Sequence, residues 1–333
     1  MFIRITRFAL ISIKKAYREN ATMPGIKHGI IGVGPSGGIL AAHLADGGED
    51  VAVADILRGH MDAIRKNGLR LIGMKEMTVR IENVFDSISE LKNYNPDVVY
   101  VCTKTTALAP VMKEVAAIHR PGMKVVCYQN GIENEHAVSD AIGDEDTLRV
   151  VINHAGTFPE DGVTNMTFFH PPNYIGAASE KSGGFASQLA ETLTGVKLDT
   201  KFVPDIKKYE WQKAVLNAAL APVTAITGQT MKQATTLPET EALARQLLAE
   251  GIAVAKGLGY DYGDDFFDKA MEYLRGGGDH KPSMRVDVEM GRRTEIDLIN
   301  GKIVEHGKRL GIPVTANQAV FAAVKGLEML MKK

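Results

Sequence analysis

Cysteine is almost absent. Cys102 and Cys127 are the only two in 333 residues, and two cannot build a disulfide framework. Both lie in apolar runs that read as buried strands, so they are inert core thiols of a reducing, cytoplasmic setting. Excess charge of either sign is absent too. A formal net charge of -1 gives no electrostatic reason to expect nucleic acid or a strongly acidic partner. No stretch approaches the roughly 18 continuous apolar residues that a membrane span needs, so integral membrane association is not expected. Internal repeats and low-complexity tracts are lacking. What is present is an ordinary globular mix, 45% hydrophobic and 24% charged, on a chain long enough for two domains.

The first 24 residues differ from the rest. "MFIRITRFALISIKKAYREN" carries Arg4, Arg7, Lys14, Lys15 and Arg18 with no acid before Glu19. Its apolar core, Phe8 to Ile13, is too short and too basic on its far side for a secretory signal. A transit peptide or a membrane-surface helix is one reading. The reading favoured here is a peripheral extension, because Met23 is followed directly by "PGIKHGIIGVG" and the ordered protein can begin there. The first 22 residues are then dispensable.

"HGIIGVGPSGGILAAHLADGGEDVAVAD" opens with an apolar run, Gly29 to Val33, that reads as a buried strand. Gly32, Gly34 and Gly37 follow as G-x-G-x-x-G, and Ser36 to Ala45 has the small and apolar residues of a helix packed on a sheet. A second strand, Val51 to Ala54, ends at Asp55. A lone glycine pattern is weak, but between strand and helix, with an acid about 20 residues on, it points to a dinucleotide. Gly32 permits the tight turn and Gly34 lets backbone approach the pyrophosphate. Gly37 lets helix and strand pack, and the helix that starts at Pro35 offers N–H donors to phosphate from Ser36 on. Asp55 can accept the ribose hydroxyls of NAD and would repel a 2′-phosphate, so NAD(H) is favoured. Arg58, three residues on, keeps NADP(H) open.

The βα pattern continues. "DVVYVCTKT" places Lys104 just past a strand, and "MKVVCYQNGIENE" runs from a strand into Gln129, Asn130 and Gly131. Ligands of open α/β sheets sit outside the carboxyl ends of strands, where Lys104 and Asn130 fall. From "RVVINHAGTFPEDGVTNMTFF" onward, alternation and a Pro-Glu-Asp-Gly turn suggest antiparallel strands extending the sheet. Strand signals stop at Asp205, which can cap the next helix. Within it, "KYEWQKAVLNAAL" is apolar on nearly every side, yet Lys213 and Asn217, one turn apart, share a face with Leu216 and Leu220. A buried lysine and amide are costly unless paired or used. A further helix carries Glu239 and Glu241 in its first turn, and Ser283 reads as the N-cap of another. A last helix runs from about Ala316. The expected fold is α/β, a Rossmann-type parallel sheet with an antiparallel extension followed by an all-helical domain. The boundaries are 1–24, 25–204 and 205–333, with the active site in the cleft between the two domains.

The order of G-x-G-x-x-G, Lys104, "QNG" at 129 to 131, "KAVLN" at 213 to 217 and "SMRVDVEMGRRTEIDLING" at 283 to 301 resembles the 2-dehydropantoate 2-reductase (ketopantoate reductase) family over roughly residues 26 to 330. The resemblance implies reduction of a 2-oxo acid by NADPH, with Lys213 as proton donor and Glu295 as its supporting carboxylate. It places Asn130, Asn217 and Ser283 around substrate and nicotinamide, and Lys104 at the cofactor. No metal is expected, and the assembly allowed is a homodimer. Three departures stand out. The family often has a basic residue after its second strand, where this chain has Asp55-Ile56-Leu57. Asparagines usual at two later positions are Ala221 and Met231 here, which points to a more apolar 2-oxo acid. A 3-hydroxyacid dehydrogenase of related architecture and a non-catalytic NAD(P) sensor are the competing readings; "GRRTEIDLING" speaks against the first and a lysine with a carboxylate against the second.

Overall fold

The computed structural model of the chain describes residues 25–331; the basic segment read above as peripheral lies outside them. Twelve strands are present among the described residues: β1 (Lys27–Ile31), β2 (Asp50–Ala54), β3 (Leu69–Gly73), β4 (Met77–Val79), β5 (Asn83–Phe85), β6 (Val98–Val101), β7 (Lys124–Cys127), β8 (Thr147–Val151), β9 (His154–Glu160), β10 (Val163–Phe169), β11 (Asn173–Ala177) and β12 (Thr200–Phe202). Eight form one sheet in the order β12-β11-β8-β7-β6-β1-β2-β5. The six from β5 to β8 are parallel, while β11 joins β8 antiparallel. Strand β1 lies between β2 and β6, so the chain order reverses there, and this is where an open α/β sheet binds its ligand. Its central strands are short apolar runs because helices cover both faces; β6 is buried along its whole length.

Two features of this unit depart from the sequence reading. The first strand ends at Ile31, two residues before its apolar run does, because Gly32 turns the chain with φ +86. The hairpin β9–β10 does not extend the main sheet. It belongs to a second sheet, β4-β3-β10-β9, in which β10 runs parallel to β3. Alternation identifies an antiparallel pair but not the edge it joins. That edge is set by a long-range fit: Gly38 on the helix Pro35–Asp46 leaves room for Thr164 of β10, where any Cβ would strike the threonine hydroxyl.

The chain divides into two compact units. Among the described residues, the sheet unit takes those up to Thr103 with Leu108–Gln129 and Glu135–Pro204; the helical unit takes the short segments Lys104–Ala107 and Asn130–Asn134 with the described residues from Asp205 on. Helix Ile206–Thr227 is the axis of the helical unit. Asp205 caps it, its carboxylate accepting from the Lys208 amide at 3.4 Å. Pro222 lies inside this helix and removes the N–H that would bond the Ala218 carbonyl. Asn300 fills that gap, its Nδ2 donating to Ala218 O at 3.1 Å and to Asn317 Oδ1 at 2.9 Å. Asn317 in turn donates to buried Glu250 at 2.8 Å. One amide chain thus ties helix Ile206–Thr227 to helices Pro238–Gly257, Asn300–Leu310 and Thr315–Met331. Asn300 and Asn317 are fully buried, so these bonds replace water for the amides that make them, while Asn300 Oδ1 has no partner among the described residues.

Candidate active site

The glycine turn is built from backbone and held from behind. A Cβ at Gly37 would run into the Gly32 carbonyl oxygen, and one at Gly32 would meet Thr103 at 2.8 Å, so both positions need glycine. A Cβ at Gly34 would touch nothing within 4 Å; that side of the turn is open. Pro35 starts the helix without needing an N–H, and the Ser36 and Gly37 amides precede the first intrahelical bond, from the Gly38 amide to the Gly34 carbonyl at 2.7 Å. Val33 between the glycines is fixed twice. Its N–H donates to Asp55 Oδ2 at 2.7 Å and its carbonyl accepts from His60 Nε2 at 3.1 Å. The other His60 nitrogen accepts from the Gly162 amide at 2.8 Å. This buried imidazole is therefore neutral, and burial lowers its pKa. Asp55 also accepts from the Leu57 amide at 3.0 Å. Each carboxylate oxygen keeps a second lone pair for a ribose hydroxyl. Beside it Ile56 is 84% exposed, and Arg58 is exposed at the start of the next helix. These residues fit a dinucleotide.

In the sheet unit, the carboxyl ends of β6 and β7 are braced by buried groups. Arg149 donates to the Gln129 carbonyl at 2.6 Å and lies 3.8 Å from Glu135, while Gln129 Nε2 donates to Thr103 O at 2.5 Å. Cys102 and Cys127 are free thiols, and burial pushes the Cys102 pKa well up.

The helical unit holds the charged groups. Lys213 and Asn217 are half-buried on a helix where Trp211, Ala214, Val215, Ala218, Ala219 and also Glu210 are buried. Glu295 is 7% exposed, and one of its oxygens accepts from Thr105 twice, from Oγ1 at 3.1 Å and from N–H at 3.3 Å. Lys104 Nζ lies 2.7 Å from Asp287, a buried carboxylate that Arg292 also pairs at 3.0 Å. Asn130 sits on the segment Asn130–Asn134, whose Ile132 amide donates to Leu298 O at 2.8 Å. The Asn130 Oδ1 is buried without a hydrogen-bond partner. Glu133 on that segment adopts φ +64 and pairs with Lys302 and His306, each at 2.9 Å.

Ser283 is not a cap. The helix Ser283–Glu289 starts at this residue, with Pro282 in the cap position at ψ 151 and no side-chain cap. Proline already holds the extended conformation that the cap needs, so the hydroxyl is left exposed.

Comparison with known proteins agrees with this geometry. Residues 28–180 match the model of ketopantoate reductase PanE/ApbA, and residues 205–328 match that of its C-terminal domain. The chain belongs to the ketopantoate reductase family. A 2-dehydropantoate 2-reductase of Pyrococcus abyssi is 27% identical over 91% of this chain and 98% of its own length. The crystal structure of a PanE/ApbA family ketopantoate reductase from Ralstonia eutropha superposes with a TM-score of 0.83 at 25% identity, covering 92% of this chain and all of that one (100%). D-mandelate dehydrogenase, solved with NADH and anilino(oxo)acetate, shares the fold at TM-score 0.82 and 21% identity, over 92% of this chain and 99% of its own. As a ketopantoate reductase family member the chain is a nicotinamide-dependent oxidoreductase.

Several supporting residues escaped the sequence reading. Asp287 lies one helical turn beyond Ser283, a spacing that could have flagged it. Thr105, His60 and Arg149 carry no local signal, since their partners are 190, 27 and 20 residues away.

Proposed function

We propose that this chain reduces a 2-oxo acid to a 2-hydroxy acid with NADH, Lys213 supplying the proton. The observation that carries this is the pairing of charge and burial in the helical unit. A half-buried lysine lies on a helix beside buried Trp211, Ala214 and Val215, and a buried glutamate, Glu295, is fixed within the same unit. When bound, the dinucleotide supplies the hydride. As negative charge builds on the carbonyl oxygen, a positioned acid must neutralise it. Lys213, whose ammonium carries three N–H donors, is that acid. Glu295, its oxygen anchored by Thr105, orients the amine. Asn217, one turn on, hydrogen-bonds the substrate, and Ser283 joins it there. The Asn130 amide takes the nicotinamide or the substrate through its unsatisfied oxygen. Gly32, Gly34, Pro35, Ser36 and Gly37 hold the pyrophosphate, and Lys104, steadied by Asp287, contacts the cofactor.

NADH is favoured over NADPH because a fixed carboxylate and an exposed isoleucine stand where a 2′-phosphate would need a cation. The substrate is ketopantoate or a 2-oxo acid with a more apolar tail. Ala221 is buried and Met231 packs on Gly277, so neither offers an amide to a substrate hydroxyl. The fold tolerates such a change, since D-mandelate dehydrogenase holds anilino(oxo)acetate. No helix of the described residues is long and apolar enough to cross a membrane, and two free thiols suit a reducing cytoplasm. A homodimer is part of the same proposal.

The test is to follow NADH and NADPH oxidation with ketopantoate, 2-oxoisovalerate and phenylglyoxylate. Turnover is expected with kcat/KM for NADH at least equal to that for NADPH, and with 2-oxoisovalerate at least as good as ketopantoate. A clear NADPH preference would move the phosphate contact to Arg58. A hundredfold advantage for ketopantoate would end the apolar-substrate reading. Turnover confined to 3-hydroxy acids would replace the 2-oxo acid assignment with the 3-hydroxyacid one.

A further inference from the structure

Glu295 lies in a stretch with little regular structure to aim it. The only element there is the 3-10 turn Ile296–Leu298, so no helical ladder fixes the residue proposed to support the proton donor. A catalytic carboxylate has to be held to within about 0.5 Å by its neighbours. What holds this one comes from the far end of the chain. Glu328, on the helix Thr315–Met331, is 5% exposed. Its Oε1 accepts from the Thr294 amide at 2.8 Å and from the Thr294 hydroxyl at 2.7 Å. Lys325, one turn earlier on that helix, lies 2.9 Å from the other Glu328 oxygen and 2.9 Å from Asp297 Oδ2. Arg293 pairs with the same Asp297 oxygen at 3.0 Å.

Residues 294 and 297 are therefore both tied to one face of the C-terminal helix, and Glu295 sits between them. Only its side chain is left to reach Thr105. Burying a carboxylate is costly unless donors replace its water. Glu328 has three donors, and two of them come from the residue directly before Glu295. A glutamate with no task beyond packing could be replaced by a leucine at no such cost.

We infer that Glu328, with Lys325, is a positioning residue that sets the place of the Glu295 carboxylate, so that the C-terminal helix is part of the catalytic apparatus. This rests on the reading of Glu295 as the carboxylate that supports Lys213.

The test uses the full chain with NADH and a 2-oxo acid, measuring kcat and KM separately. Glu328→Leu fills the space but leaves the Thr294 N–H and hydroxyl unpaired. A displacement near 1 Å costs about a hundredfold at most, so kcat should fall between about tenfold and a hundredfold, with the KM for NADH held within about twofold, the mark of an effect on the chemical step. Glu328→Gln keeps an oxygen for Thr294 and should restore kcat to within about threefold of the unmodified enzyme. In a Glu295→Gln background, Glu328→Leu should cause no further loss, because residues acting as one unit are not additive. If Glu328→Leu does not fold, Thr294→Val removes one of the two donors and should lower kcat in the same way. Unchanged kcat in the foldable variant, or a loss that adds fully to that of Glu295→Gln, would overturn the inference and leave the role of Glu295 standing. Full turnover in Glu295→Gln alone would overturn both.

Discussion

In the sheet unit, the proposed phosphate site is three glycines within six residues at a helix start, where the first amides have no intrahelical partner. In the helical unit, the proposed proton site is assembled from side chains on four separated stretches, around Thr105, Lys213, Glu295 and Glu328. The first needs positions where a Cβ is forbidden, as at Gly37 against the Gly32 carbonyl. The second needs carboxylates buried and then satisfied, as when Thr105 donates to Glu295 across 190 residues of sequence. A site made from backbone is specified by spacing and tolerates change behind it. A site made from side chains is specified by tertiary packing and fails through residues that never touch the ligand. Even so, the backbone site has one such support, His60, which links the Val33 carbonyl to the Gly162 amide.

The contrast can be broken most sharply at Gly37. Adding a methyl group there, Gly37→Ala, forces backbone against backbone, and overpacking of this kind costs about 1–3 kcal/mol. Taken from the bound state, that is roughly a five- to hundredfold loss of NADH affinity, at about 1.4 kcal/mol per tenfold. Fluorescence titration with NADH is the measurement, and an unchanged Kd would show that the turn has more room than its geometry allows.

Substrate choice gives an effect of about tenfold, of the size one pocket contact supplies. Ala221→Asn combined with Met231→Asn should shift kcat/KM toward ketopantoate and away from 2-oxoisovalerate. No shift in the ratio would place the tail-binding residues elsewhere.

His60→Ala is expected to cost about 1–3 kcal/mol of stability, because it leaves the Val33 carbonyl and the Gly162 amide unpaired. Chemical unfolding followed by circular dichroism reads this directly. A cost near zero would make the support behind the turn dispensable.

The smallest effect separates buried imidazoles from paired carboxylates by pH. Burial lowers the pKa of His43 and His60 in the sheet unit and of His280 in the helical unit. A folded imidazole that resists its proton loses ground once the unfolded chain accepts one, so stability is complete above about pH 6.5 and declines as pH falls below it. In the helical unit burial pushes Glu328 and Asp297 up, but Thr294, Lys325 and Arg293 outweigh it and hold both below the usual range. Their contribution is complete above the ordinary carboxylate pKa, about 4, and is lost as pH falls through the lower folded values. Melting temperature against pH should therefore decline first below pH 6.5 and again below about 4. In His60→Gln the first decline should shrink while the second remains. A first decline unaltered by that change would contradict the assignment.

Much of the sheet unit was legible because its signals are local. Three glycines, a strand on each side and Asp55 stand within about 30 residues, the length of one βα unit with its following strand. The helical unit showed where its helices run and which faces they bury: Trp211, Ala214 and Val215 inward, Lys213 and Asn217 set apart. It did not show what steadies them. Glu295 was found only through a resemblance that spans the chain, and Glu328 and Thr105 through nothing in the sequence, because their pairing depends on where two distant segments pack. The hairpin β9–β10 was read as a hairpin yet placed on the wrong sheet for the same reason. Ser283 was read as a cap because serine favours that position, and the proline before it took the role instead.

The central claim is that the backbone site holds the cofactor and Lys213 performs the proton transfer. The most direct test is Lys213→Ala, with NADH affinity and turnover of a 2-oxo acid measured on the same sample. The account predicts a fall in kcat of about two to four orders of magnitude, the usual range for a general acid, with the Kd for NADH unchanged. Near-normal turnover would show a lysine that merely extends to the surface, and a Kd raised in step with lost turnover would place it at the cofactor instead.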